Sequence, residues 1–148
     1  MIAAALFALA AGLPTTGRFD LVCAGEQQEA LGEVRQAATP WSGRLSVDLG
    51  RAVVRRDGEQ ENLRLAPGPA DRLVVQDDAK AFGDAVVTLR AQVDRATGAY
   101  SASSSTEVGD TFRQETTVRA ACTVGPFTRL ADKDAPVEIP EGAAPAPR

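Results

Sequence analysis

Asp84-Ala-Val-Val-Thr-Leu-Arg-Ala-Gln-Val-Asp94 is the stretch that decides the fold class. Val87, Leu89, Ala91 and Val93 fall on one side of an extended chain. Thr88, Arg90, Gln92 and Asp94 fall on the other, which is the period-two pattern of a strand with one buried face. Arg95-Ala96-Thr97-Gly98 follows as a turn, with Gly98 free to take a positive φ. Ala99 to Glu107 then returns as a strand rich in Ser and Thr. Val108-Gly109-Asp110 turns the chain again, into a long strand from Thr111 to Val124. On that strand Phe112, Thr116, Val118, Ala120, Cys122 and Val124 share a face, and Gly125-Pro126 stops it.

The same alternation extends toward the N-terminus. Phe19, Leu21 and Cys23 alternate with Asp20 and Val22, and Leu45, Val47 and Leu49 alternate with Arg44, Ser46 and Asp48. Ala52 to Arg56 reads as a strand, Asp57-Gly58 as a turn dipeptide and Asn62 to Leu65 as the return. Pro67-Gly68-Pro69 breaks the chain before a short strand around Leu73-Val74-Val75. Two polar stretches, Glu26–Pro40 and Asp77–Gly83, read as loops, the second anchored by Phe82. Trp41 reads as a strand-edge or barrel-plug aromatic, and the Ser101–Ser105 run as an exposed edge strand. The sum is an all-β domain over residues 18–130. Seven to eight short antiparallel strands in this spacing make a small barrel-like meander, or a sandwich. Residues 131–148 are Ala, Pro and acid without periodicity, the composition of a disordered tail.

Length and composition set bounds. At 148 residues, 44% hydrophobic and 5% aromatic, the chain has material for one core, built mainly from Val, Leu and Ala. The net charge is −4, and the folded segment is nearly balanced, which argues against a nucleic-acid binder. Residues 1–12 are apolar or small with no charged side chain, the length of a signal-peptide core rather than of a bilayer span. The chain is therefore expected in the periplasm or outside the cell, with no stable membrane span after processing.

Two cysteines, Cys23 and Cys122, sit inside strand-like segments near the two ends of the domain. In an exported protein such a pair invites a disulfide. This one would weld the first strand to the last, as closure of a sheet onto itself requires. With no histidine, there is no conventional Ser-His-Asp triad, no base for a cysteine nucleophile and no set of zinc ligands. No catalytic, metal or cofactor residues are assigned. Asp77, Asp78 and Asp84 lack calcium-loop spacing. Arg51, Arg55 and Arg56 could form an anion patch, but Glu59 and Glu61 across the turn could neutralise it. The candidate binding loop is Arg95, Thr97, Gly98 and Tyr100.

Phe19-Asp20-Leu21-Val22-Cys23, the Asp94-to-Gly98 hairpin, and Cys122 ahead of Gly125-Pro126-Phe127 resemble small exported bacterial β-proteins with a terminal-strand disulfide. That resemblance implies a fold and no activity. Thr97-Gly98-Ala99-Tyr100 is also similar to the Ser-Gly-x-x-Tyr loop of periplasmic C-type lysozyme inhibitors, small eight-stranded barrels with a disulfide. Here Thr stands for Ser and the Tyr comes one place early, and that family's later Trp and Lys have no counterpart, so no site residues carry over. The expected function is a non-catalytic β-domain of the cell envelope, binding a protein, a lipid or a glycan. The alternatives are an inhibitor of a hydrolase such as lysozyme, and a carboxylate-based hydrolase.

Overall fold

The computed structural model describes residues 12–59 and 62–128. Nine strands run in chain order: β1 (Arg18–Leu31), β2 (Val34–Arg35), β3 (Thr39–Asp48), β4 (Val53–Arg56), β5 (Leu63–Arg64), β6 (Arg72–Phe82), β7 (Ala85–Asp94), β8 (Ala99–Val108) and β9 (Phe112–Gly125). Eight lie side by side as β5-β4-β3-β1-β9-β8-β7-β6, and β2 pairs with the end of β1. All the pairings are antiparallel. Around the ring the strands follow one another in sequence, apart from the short β2, and β9 returns to β1. This is the barrel-like meander expected from the alternation. The seam between β5 and β6 is bridged where the Ala66 N–H donates to the Val74 carbonyl at 3.0 Å, so the barrel is nearly closed.

Aliphatic side chains at alternating positions fill the closed half. Leu21, Val47, Val54, Val75 and Val93 are fully buried, and Phe19, Leu45 and Leu73 pack with them. Each contributes roughly 1.5–3 kcal/mol by leaving water. Val74 pairs with Gln92 while Gln76 pairs with Ala91, leaving Val75 as a bulge residue. The bulge re-aims the strand: Leu73 and Val75 enter the core, and Gln76 emerges on the inner side of the open half.

Cys23 and Cys122 face each other directly across the β1–β9 ladder and form a disulfide inside the core. The first and last long strands are thus joined by a continuous ladder and by sulfur. The bond points to an oxidising compartment. Among the described residues no helix is long and apolar enough to cross a membrane. The expected signal peptide (Gly12 apart) and the tail fall outside the described residues. Leu13 is buried at the closed end, its N–H donating to the Arg95 carbonyl at 2.8 Å.

Three sequence expectations are corrected. Glu26–Pro40 is not a loop: β1 continues to Leu31 against β9, turns at Gly32, and re-enters as β2 and then β3. Asp77–Gly83 is largely strand too, as β6 runs through Phe82, which is 63% exposed rather than an anchor. Both stretches extend the sheet beyond the core, where neither face is fully buried, so apolar alternation is not required of them. The Ser101–Ser105 run is not at an edge. It lies in β8, between β7 and β9, and its small side chains line an opening in the barrel.

On the outer face, Asp20 of β1 is fully buried beneath residues 126–128. Its carboxylate accepts from Arg44 Nε, from Thr128 Oγ1 at 2.6 Å and from the Thr128 N–H at 3.1 Å. Ser46 Oγ adds a bond to Thr128 Oγ1 at 2.8 Å. Arg18 lies over the Phe127 ring. Burial alone would raise the Asp20 pKa, but the bonds from Thr128, Arg44 and Ser46 outweigh it and hold the carboxyl below its ordinary value. A carboxyl depressed on folding contributes stability that is complete above its unfolded-state pKa, near 3.9. That stability is lost as the pH falls through the lower folded value. The stability gap between wild type and Asp20→Asn, read from urea unfolding midpoints, is therefore expected to be largest at neutral pH. It should shrink steadily below about pH 4; a gap that stays constant down to pH 2 would refute this role of Asp20.

Candidate functional site

The open half of the barrel begins at one row of the sheet. Trp41 on β3 pairs with Gly25 on β1, Gly25 with Ala120 on β9, and Ala120 with Tyr100 on β8. Two large aromatics are thus separated around the curve by two of the smallest residues. The sheet's curvature brings the rings together across this row, with the Trp41 ring lying against Gly43. They stack with centroids 5.4 Å apart and planes 5° from parallel, within the range of favourable aromatic pairs. Two glycines permit the arrangement. A Cβ on Gly25 would lie 2.0 Å from the Arg119 carbonyl oxygen, and one on Gly43 would lie 2.6 Å from the Trp41 ring.

The stacked pair floors a cavity of about 320 Å³, at the low end of the range for small-molecule sites. Its walls on β8 and β9 are short: Ala102 and Ser104 face Val118 and Thr116 in register. Arg56 and Gln76 stand on the other side. Arg56 donates from Nη2 to Gln76 Oε1, and its Nη1 lies 3.7 Å from Glu59 Oε1. Its Nε is buried and has no hydrogen-bond partner among the described residues. Tyr100 is 4% exposed as a residue, and its hydroxyl makes no hydrogen bond among the described residues. Burial raises its pKa, with Glu59 reinforcing and Arg56 opposing the shift, which places the phenol within electrostatic range of both. The cavity's acids are Asp57 and Glu59.

The residues expected to form a binding loop are not brought together. Asp94 Oδ1 accepts the Ala96 and Thr97 N–H groups at 2.9 Å each, capping the turn. Gly98 takes φ of 74° and is buried, and its carbonyl accepts the Cys122 N–H at 2.9 Å. Arg95 is tied to Asp71 and Leu13 through its backbone. The turn therefore belongs to the closed end, whereas the Tyr100 ring points inward and floors the mouth. Of the arginine trio, Arg56 enters the cavity lining, Arg55 donates from Nε to the Glu59 carbonyl at 2.8 Å, and the Arg51 N–H caps onto Asp48 Oδ1 at 3.1 Å. Glu61 lies outside the described residues. Among those residues no cluster of His, Cys, Asp or Glu could hold a metal ion.

No protein-family model matches the chain, and neither a curated protein nor a solved structure shows significant similarity to it.

Proposed function

We propose that the protein is an exported, non-catalytic β-barrel of the cell envelope that binds a glycan-type small molecule in its open mouth. The observation that carries this reading is the floored cavity. An aromatic pair forms its base, Ser104 and Thr116 place hydroxyls on one wall beside Ala102 and Val118, and Arg56 and Tyr100 bring donors to it. A lipid carrier would need a deep apolar cavity, whereas here aliphatic side chains fill the closed half and the mouth sets Arg56, Gln76, Ser104 and Thr116 beside Leu89, Ala102 and Val118. An inhibitory loop would need to protrude, whereas Arg95–Gly98 is tied down at the closed end. A carboxylate hydrolase needs two acids across a substrate; Asp57 and Glu59 are neighbours in one turn, and Glu59 faces Arg56.

Trp41 is the sole tryptophan of the chain, so intrinsic fluorescence reports on this site alone. Titration with the low-molecular-weight fraction of a bacterial periplasm is expected to change its emission saturably, and Trp41→Phe should abolish the signal. An emission unmoved by the fraction, with the domain folded, would sink the reading.

A further inference from the structure

The mouth's polar groups are unequal in a way that specifies the ligand further, on the reading that the mouth is a binding site. Arg56 supplies a fixed positive charge with four N–H groups on its terminal nitrogens; one goes to Gln76, Glu59 lies 3.7 Å from Nη1, and the side chain is 27% exposed at the cavity. The Tyr100 hydroxyl, which makes no hydrogen bond among the described residues, adds a phenolic donor at the same cavity. Ser104 and Thr116 sit opposite each other on β8 and β9, and neither side chain has a hydrogen bond among the described residues. The other charged residues of the lining are Asp57 and Glu59, with Glu59 facing Arg56, and Arg44 and Arg90, which pair with Asp20 and Asp77. The available capacity is thus one charged donor, one phenolic donor and a wall of hydroxyls that both give and accept.

We infer that the mouth binds a hydroxylated carboxylic acid of about the size of one sugar acid. Its carboxylate meets the terminal N–H groups of Arg56 and the Tyr100 hydroxyl, and its own hydroxyls face Ser104 and Thr116. A guanidinium N–H paired with a carboxylate is a charge-assisted bond, roughly twice as strong as a neutral one. Arg56, Gln76 and the Ser104 and Thr116 hydroxyls would desolvate poorly against an acyl chain.

The test uses the purified disulfide-bonded chain and two probes of matched shape, D-glucuronate and D-glucose, read by Trp41 fluorescence and by amide chemical shifts. Glucuronate is expected to bind at least about tenfold more tightly than glucose, the worth of one hydrogen bond to a charged group. Arg56→Gln should remove most of that preference. Tyr100→Phe keeps the ring that stacks on Trp41 and should weaken glucuronate several-fold. Amide shifts confined to the mouth will show that both variants remain folded. Equal binding of the two sugars would overturn the carboxylate inference and leave the mouth as a neutral-sugar site. No perturbation by either probe would overturn the inference too, and the periplasmic-fraction titration then decides separately whether the mouth binds anything.

Discussion

Replacing both cysteines, Cys23→Ala with Cys122→Ala, is expected to cost about 4–5 kcal/mol of stability by the chain-entropy relation for a loop of this length. The bond closes a sequence separation of 99 residues, so its loss frees almost the whole described domain in the unfolded state. Alanine is the informative choice because both sulfurs lie in the core; serine would add an unsatisfied hydroxyl and blur the measurement. For a domain of this size the change amounts to a fall in Tm on the order of 15 °C, read by circular dichroism. Reduction of the wild-type protein should give a similar fall. A shift below about 3 °C would mean that the β1–β9 ladder closes the barrel without help from sulfur.

The second large effect is expected from a single methyl group. Gly25→Ala places a Cβ 2.0 Å from the Arg119 carbonyl oxygen and 2.5 Å from the Ala120 Cα. Both are backbone atoms of β9, and no side-chain rotation relieves the clash. The two strands must part at the row that carries Trp41 and Tyr100, so the substitution loosens the closure and the floor together. Overpacking of this kind costs about 3 kcal/mol or more when only backbone can yield, measurable as a lowered urea midpoint. Gly43→Ala is the control. Its clash is with the Trp41 ring, which can shift, so it should change the fluorescence spectrum more than the stability. If Gly25→Ala were as stable as wild type, β1 and β9 could not approach as closely as described.

The sequence carried the ring of strands but not its open half. Val87, Leu89, Ala91 and Val93 declare their face because every second position meets the core or the mouth. Cys23 and Cys122 declare a pairing because an oxidising compartment gives two such thiols a shared use. The continuation of β1 past Gly25 was hidden, since Glu26, Gln27, Gln28 and Glu29 are all polar and pair through their backbones with no apolar alternation to mark a face. Phe82 misled for the opposite reason: an aromatic among polar residues suggests an anchor, yet it sits on the extended end of β6. The mouth was the least visible part. Trp41 as a plug was readable, but its partner Tyr100 stood next to a turn that looked like a binding loop. Only the register, in which Gly25 and Ala120 separate the two rings, shows why they meet. Arg56 was noticed as one of three arginines, and nothing local distinguishes it. Its role depends on Gln76, which the bulge at Val75 turns inward.

The aromatic floor below an open mouth is most directly tested by nuclear Overhauser contacts between the chain's one tryptophan and one tyrosine, whose ring protons need no further assignment. Strong cross-peaks between the Trp41 indole and the Tyr100 ring, with ring-current-shifted resonances for both, are expected in the oxidised protein. Their absence in a folded sample, with both rings at solvent-exposed shifts, would contradict the floor and the site built on it.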